Sequence, residues 1–207
     1  MTMYRMMIVL ITMIIILEIV SKLFQKKIDL KNNLEDDIDR IISILDDRYL
    51  LPNYIIKTNS KTFSYTFAKN KICINNRKLI GHNLIKGIHE IAHGIDASTK
   101  ITSAIFVIMP HIRIARWLMI AILLLSRIML TIKSEPIIYM YLGLSILYVF
   151  SLIYIESRAN YIVASFNNFG SDRCILSYIW ISFLLQIIWS IFFLIMPLSI
   201  IKILNVI

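Results

Sequence analysis

The stretch Gly87–Asp96 reads Gly-Ile-His-Glu-Ile-Ala-His-Gly-Ile-Asp and contains the pattern His-Glu-x-x-His. Residues four apart on a helix lie on one face, so His89 and His93 can reach one metal ion together. Two imidazole nitrogens suit zinc, and a carboxylate at Glu90 can take a proton from a metal-activated water. The stretch therefore predicts a helix with two zinc ligands and a general base. The alternative is an exposed amphipathic turn with two unrelated histidines.

The composition around this stretch is typical of an integral membrane protein. The chain has 207 residues, of which 58% are hydrophobic and 17% charged, whereas soluble domains have about 25% charged residues. The net charge is +9, but the basic residues form no stripe interleaved with exposed aromatic residues. Basic residues beside membrane spans match anionic lipid, so we expect the lipid bilayer and not nucleic acid as a partner. Cys73 and Cys174 form no Cys-x-x-Cys pair and are expected to be reduced, buried thiols.

Four apolar segments predict four transmembrane helices. The first, at residues 3–21, has no small-residue cleavage site after its apolar run and is interpreted as an uncleaved anchor. Pro110 is expected to end a short apolar segment before the second span, and Pro197 to end the last span. The predicted order is an anchor at 3–21, a small α+β domain at 22–100, transmembrane helices at 113–132 and 137–155, a helix and loop at 156–173, a transmembrane helix at 175–196 and an apolar tail at 197–207. The predicted fold class is a mainly α membrane protein with a small α+β domain.

The α+β domain is expected to begin with a helix. Asn33 can cap it, Glu35, Asp36 and Asp37 lie near its positive end, and Pro52 stops it. A β-hairpin is predicted next, because apolar residues alternate on both sides of the turn Lys69-Asn70. Its edge strand could pair with an extended substrate beside the metal helix, or the hairpin could only cover that helix.

Charge bias predicts the orientation of the spans, because cytoplasmic flanks carry an excess of Lys and Arg. The bias places the motif region inside the cell and the amino terminus and the turn at 133–136 outside. The residues that carry this assignment are Lys22, Lys26, Lys27 and Lys31 after the anchor against Arg5 before it, Arg113 and Arg116 before the second span against Lys133 after it, and Arg158 and Arg173 after the third.

A catalytic zinc ion usually takes three protein ligands and a water, so a third ligand is needed. The best candidate is Glu156, which follows the third span and begins the sequence Glu-Ser-Arg-Ala-Asn. Asn160 falls one turn later and could hydrogen-bond a ligand histidine. The alternative for Glu156 is an interfacial carboxylate paired with an arginine. Asp96 and Asp172 are rival ligands, although a helix-end cap or a supporting role suits Asp96 better.

A His-Glu-x-x-His helix, two intervening spans and a Glu-x-x-Ala-Asn motif resemble the gluzincin membrane peptidases of the HtpX type, whose second motif is Glu-x-x-Ala-Asp. In size and order the chain is more similar to the small bacterial membrane neutral zinc metallopeptidases of the YugP type. Ile72–Asp96 matches the strand, glycine turn and metal helix of that family, with Gly81 at the turn. The chain departs from the pattern in having Asn160 in place of Asp and in lacking a polar stretch before Ile72.

The resemblance implies a gluzincin-like Zn²⁺ domain in a multi-pass protein of the bacterial cell membrane, and the charge bias predicts that its active site lies on the cytoplasmic face. The resemblance also implies that His89, His93 and Glu156 are the ligands and Glu90 the base.

The expected activity is hydrolysis of peptide bonds in membrane or juxtamembrane polypeptides by zinc-activated water, with Glu90 as general base. Arg158, Tyr154 and Tyr161 are candidates for stabilising the oxyanion, although each could instead be an interface anchor. A second hypothesis is a non-catalytic, zinc-containing membrane interaction or accessory protein, which would not need the carboxylate of Glu90. A third is a small transport or accessory subunit with a chance motif, which predicts that no metal binds.

Overall fold

The described part of the chain is mainly helical, and all of its strands lie between residues 35 and 80. We describe a computed structural model over residues 3–31, 34–49, 55–58, 60, 62–129 and 134–204. The elements in chain order are α1 (Met3–Asp29), β1 (Glu35–Asp37), α2 (Ile38–Tyr49), β2 (Ile55–Lys57), β3 (Ser64–Thr66), β4 (Lys71–Cys73), β5 (Lys78–Ile80), α3 (His82–Asp96), α4 (Lys100–Met129), α5 (Ser134–Ser165) and α6 (Arg173–Leu204). A short 3₁₀ helix follows β3 at Phe67–Lys69, and a longer one follows α5 at Phe166–Ser171.

These elements form two units. The helical unit comprises Met1–Glu18, Val107–Ile153 and Leu184–Ile207, and the mixed unit comprises Ile19–Phe106 and Tyr154–Phe183. All the described strands and the helix that carries His89 and His93 lie in the mixed unit.

Within the described residues, four helices are long and apolar enough to cross a membrane, judged by length and composition, and this agrees with the predicted number. The stretches are Arg5–Asp29, Lys100–Leu125, Glu135–Ser165 and Arg173–Ser199. The first extends beyond the predicted end at residue 21, because helix α1 continues through Lys22, Lys26 and Lys27. All three lysines are exposed, so the helix can hold them without burying a charge.

Two prolines do not end helices as the sequence predicts. Pro110 lies inside α4 and Pro197 inside α6, and both helices continue past them. Ending a helix within an apolar segment would leave several backbone groups without partners, whereas one internal proline removes a single hydrogen bond. Near Pro110 the ring nitrogen Nδ1 of His111 lies 2.8 Å from the carbonyl oxygen of Val107, so a side chain bonds the backbone beside the interruption.

The predicted β-hairpin is confirmed in the mixed unit. Strands β3 and β4 pair antiparallel, with Ser64 opposite Cys73 and Tyr65 opposite Ile72. Asn70 turns the chain with φ of 43°, a left-handed conformation that asparagine tolerates better than most residues. Strand β2 pairs with β4 in parallel, so β3 is one edge of a three-stranded sheet.

A second, two-stranded sheet replaces the predicted start of α2. Glu35, Asp36 and Asp37 form β1, which pairs antiparallel with β5, and α2 begins only at Ile38. Backbone pairing joins the two strands with Asp36 opposite Leu79, and an exposed ion pair between Lys78 and Glu35 accompanies it. Local propensity places such residues at a helix start, but a basic strand distant in sequence pairs with them instead. The predicted cap at Asn33 and stop at Pro52 lie outside the described residues.

A buried apolar cluster holds the mixed unit together and orients α3. Its members from α2, the strands and α3 include Ile38, Ile41, Leu45, Ile72, Ile74, Leu79, Leu84, Ile88, Ile91 and Ile95. A Cβ atom at Gly87 would overlap Cδ1 of Leu79, so a larger residue there would require the buried Leu79 side chain to shift. The buried stripe of α3 fixes its rotation and hence the direction of His89 and His93.

Both cysteines are free thiols, as expected, but only Cys174 is buried. Cys73 is half-buried because side chains alternate along β4 and the core takes Ile72 instead.

Candidate metal centre

Helix α3 holds the two histidines of the motif side by side. The ring centroids of His89 and His93 are 4.6 Å apart and the ring planes make an angle of 83°. His93 is 7% exposed, and the ring of Phe106 meets its ring edge-on at 6.1 Å. The spacing of four residues therefore places both imidazoles on one face of a buried helix, as the sequence predicts.

Glu156 reaches both histidines from α5. Its Oε2 lies 3.1 Å from Nε2 of His89, and its Oε1 lies 3.6 Å from Nε2 of His93. The carboxylate is buried, with 8% of the residue exposed. Helix α5 and the third candidate span both continue to Ser165, beyond the predicted end at residue 155, so Glu156 lies within this one continuous helix.

The chemistry of these three residues fits a zinc ion. One ligand atom from each of His89, His93 and Glu156 lies within 4.8 Å of the others. Two atoms that share one zinc ion each lie about 2.0–2.2 Å from it, so the separations of 3.1 and 3.6 Å are short enough for shared coordination. Two imidazoles and one carboxylate form a ligand set that catalytic zinc sites use.

The support around the two histidines is unequal. The side chain of Asn160 hydrogen-bonds His89, the type of contact that orients a ligating imidazole. By contrast, Nδ1 of His93 is buried and has no hydrogen-bond partner among the described residues. His93 is therefore held by packing, including its contact with Phe106.

The two histidines hold protons differently. Burial lowers the pKa of His89, but the hydrogen bond and charge of Glu156 outweigh burial and raise this pKa above its usual value. Burial and the neighbouring His89 lower the pKa of His93 to about 4, against the opposing charge of Glu156. His93 is thus neutral at pH 7, which is the form in which imidazole binds a metal.

Glu90 lies beside this group without being part of it. Burial raises the pKa of Glu90, the charge of His89 opposes the rise, and the charge of Glu156 adds to it. The backbone amide of Tyr65, in the edge strand β3, hydrogen-bonds the Glu90 carboxylate. A carboxylate with a raised pKa can accept a proton and retain it for a later transfer.

Asp96 lies outside the three-residue group and is engaged elsewhere. It is 1% exposed, and its Oδ1 accepts a hydrogen bond from Nε of Arg158. The hydroxyl of Thr102 donates to its Oδ2 over 3.0 Å. The guanidinium carbon of Arg158 lies 5.6 Å from the centroid of the Tyr154 ring. Asp96 thus links the end of α3 to Arg158 in α5 and does not join the two histidines.

The other rival ligand, Asp172, lies in a structural contact. It pairs with Lys31, and its Oδ1 accepts the backbone amides of Cys174 and Ile175 at the start of α6. Tyr161, a candidate for the oxyanion, is 75% exposed.

Three neighbours of the site are missing from the sequence prediction. The Tyr65 amide could not be identified because its role depends on backbone position and not on residue type. Phe106 follows from no polar pattern. Thr102 lies in a short polar segment that follows α3 and precedes the next apolar residues. This polar segment is the sequence signal that could have identified Thr102.

No family model, no curated protein and no solved structure matches the chain. The interpretation of the site therefore depends on its geometry and chemistry.

Proposed function

We propose that the chain is a membrane-embedded zinc metallopeptidase that hydrolyses peptide bonds of membrane or juxtamembrane polypeptides. The observation that carries the proposal is the convergence of His89 and His93 from α3 with Glu156 from α5. An ion pair with an arginine, the alternative for Glu156, has less support, because its carboxylate oxygens lie near both histidines.

The catalytic roles follow from the groups around this convergence. When bound, Zn²⁺ would supply a Lewis acid that polarises a peptide carbonyl and lowers the pKa of a coordinated water. Glu90 accepts the proton of the attacking water at its carboxylate and donates it to the leaving amine. Its raised pKa supports the second half of this role, because the protonated form persists until the C–N bond breaks.

The edge strand supports a polypeptide as the substrate. Tyr65 in β3 contacts Glu90 through its backbone amide, so this strand passes beside the proposed base. An extended peptide that adds to a sheet edge is aligned by backbone hydrogen bonds, without regard to most of its side chains. Arg158 is the strongest candidate for stabilising the oxyanion, because it is a cation held in place by its ion pair with the buried Asp96.

The proposal also includes the family of the chain and its location in the cell. Membership of the gluzincin membrane peptidases, with the YugP type as the nearest pattern, remains part of the proposal. The four membrane-length helices support a multi-pass protein, and the charge bias of the flanking residues supports a cytoplasmic location of the site, in a membrane that we propose to be bacterial.

The experiment that tests the metal centre is the zinc content of detergent-purified protein, measured for the wild type and for Glu156→Gln. We expect about one zinc per wild-type chain and little in the variant, because a catalytic site needs its third ligand. Glu135→Gln is the matched control, since Glu135 lies in the first turn of the same helix and is exposed. Equal zinc in Glu156→Gln and Glu135→Gln would contradict the three-ligand site.

Catalysis is tested separately with Glu90→Gln, which should keep its zinc and lose activity. The substrate probe is a tryptic peptide library, with new cleavage products identified by mass spectrometry. Products that are present with the wild type and absent with Glu90→Gln would support the peptidase. Identical products from two zinc-loaded proteins would favour the non-catalytic zinc protein.

Orientation is tested by cysteine labelling in intact cells, with Cys73→Ser and Cys174→Ser as background. A membrane-impermeant maleimide should label Arg5→Cys directly, but Lys26→Cys and Arg173→Cys only after permeabilisation. Direct labelling of Arg173→Cys would place the proposed site on the opposite face.

A further inference from the structure

The helical unit contains a cavity that the proposed peptidase does not use. Its volume is about 420 Å³, and helices α4, α5 and α6 line it. Most of the lining is apolar, from residues such as Ile120, Leu124 and Met196, but Arg113 and Arg116 also lie along it. Cavities of roughly 300–1,000 Å³ are the usual size of sites for small ligands.

Arg116 is the polar centre of this cavity. Its guanidinium carbon lies 4.9 Å from the centroid of the Tyr148 ring and 5.8 Å from that of Tyr141. The Nε of Arg116 is buried and has no hydrogen-bond partner among the described residues. No described carboxylate forms an ion pair with the Arg116 guanidinium. A guanidinium in a membrane-length helix is costly unless an opposite charge or polar partner compensates it, and aromatic faces compensate it only in part.

The aromatic support of Arg116 is itself fixed. Tyr141 is fully buried, and its hydroxyl donates a hydrogen bond to the carbonyl oxygen of Leu194 over 3.0 Å. The ring therefore cannot turn away from the guanidinium without breaking this bond. A donor held in place before a ligand arrives loses little conformational entropy on binding.

The cavity is charged at one end and apolar at the other along α4. Arg113 lies nearly one turn before Arg116, whereas Ile120 and Leu124 follow it by one and two turns. Leu124 is thus about 12 Å further along the helix axis than Arg116, at about 1.5 Å per residue. This distribution matches a molecule with an anionic head and a hydrocarbon tail.

We infer that this cavity binds an anionic membrane phospholipid. The lipid phosphate accepts hydrogen bonds from the guanidinium of Arg116, including its unpaired Nε, and one acyl chain lies along Ile120 and Leu124. Basic pockets between transmembrane helices recognise anionic headgroups in this way. The inference does not depend on the peptidase, because none of the metal-centre residues lines the cavity.

Native mass spectrometry of the detergent-purified protein tests the headgroup. Phosphatidylglycerol added to the wild type should give a one-to-one complex, and phosphatidylcholine should bind more weakly because choline offsets the phosphate charge. Arg116→Gln should weaken phosphatidylglycerol binding by about tenfold or more, the loss expected for one charge-assisted hydrogen-bonding group. Arg5→Gln makes the same charge change at an exposed arginine of another span and should bind like the wild type.

A second pair of variants tests the tail and keeps the inference falsifiable if Arg116→Gln does not fold. Leu124→Trp fills the apolar end of the cavity, whereas Leu125→Trp adds the same volume at an exposed neighbour outside it. Only Leu124→Trp should lose phosphatidylglycerol. Equal binding of both lipids, equal binding by the two tryptophan variants, or displacement of the lipid by inorganic phosphate alone would overturn the inference.

Discussion

Nε2 of His89 lies 3.1 Å from Oε2 of Glu156, although 67 residues separate them along the chain. The pair joins α3, which carries both histidines, to α5, which carries Glu156. A single hydrogen bond would not also bring the second carboxylate oxygen to within 3.6 Å of His93. The carboxylate thus lies between two imidazoles, as in a site where all three share an ion.

Asn160→Ala should weaken zinc binding, because it removes the side chain that hydrogen-bonds His89. Partners that orient a ligating histidine contribute about 10–100-fold in metal affinity. Titration of the metal-free protein against a competing chelator measures the change. Ser157→Ala is the control, since that hydroxyl bonds only the backbone of its own helix at Tyr154. An affinity equal to that of the control would show that Asn160 does not support the ligand.

Arg158→Met should destabilise the fold through Asp96. The carboxylate of Asp96 is fully buried, and the variant would leave the hydroxyl of Thr102 as its side-chain hydrogen-bond donor among the described residues. A buried charged group without its partner costs about 1–3 kcal/mol or more in the free energy of unfolding. Denaturation in mixed micelles, followed by circular dichroism, measures the loss.

The control for this prediction is Arg77→Met, which breaks an exposed pair with Asp39. Exposed ion pairs contribute little because water and salt screen them, so this variant should unfold nearly like the wild type. Asp96→Asn combined with Arg158→Met should recover part of the loss, since the uncompensated charge is gone. Equal destabilisation by Arg158→Met and Arg77→Met would refute a structural role for the Asp96 pair.

Gly87→Ala should lower both stability and zinc content. The added Cβ would overlap Leu79, and overpacking of this kind costs about 1–3 kcal/mol. The matched control is Gly143→Ala on α5, where a Cβ would meet nothing within 4 Å. Adding Leu79→Ala to Gly87→Ala should restore part of the zinc content by making room for the methyl group. A fully stable Gly87→Ala protein would mean that the Leu79 side chain can move aside at little cost.

Asp172 should make the start of α6 sensitive to acid. Its hydrogen bond with Lys31 is the largest cause of a lowered pKa, and the amides of Cys174 and Ile175 act in the same direction. A carboxyl group with a lowered pKa stabilises the folded state fully above its unfolded pKa of about 3.9. This stability is lost as the pH falls through the lower folded value.

Two variants separate the charge of Asp172 from its capping role. Asp172→Ala should cost about 0.5–2 kcal/mol at pH 7, because both the cap and the ion pair are lost. Asp172→Asn keeps a good capping side chain, so its unfolding should show a smaller loss and less dependence on pH below about 4. A difference between wild type and Asp172→Ala that persists unchanged at pH 2 would contradict this assignment.

Local patterns predicted the parts of the fold that depend on neighbours in sequence. The spacing of His89 and His93 and the buried stripe of α3 both follow from helix periodicity. The hairpin of β3 and β4 follows from alternation around Asn70. In each case the interacting residues lie within one or two elements, so their pattern is visible in the sequence alone.

Contacts between distant segments were not predictable in the same way. Glu35–Asp37 carries no strand pattern, and its partner strand β5 lies more than forty residues away in sequence. Pro110 has a strong local tendency to end a helix, but the apolar surroundings favour a continuous one. The contact of Asp96 with Arg158 depends on how α3 meets α5, which neither sequence segment specifies.

The distribution of the three candidate ligands along the chain has a consequence for biosynthesis. A nascent chain that has emerged only as far as α4 presents His89 and His93 without Glu156, and two imidazoles alone do not complete the ligand set. The proposed centre can therefore assemble only after α5 has been synthesised as far as Glu156. A chain built in this order would acquire the proposed peptidase centre only once its third candidate span is complete.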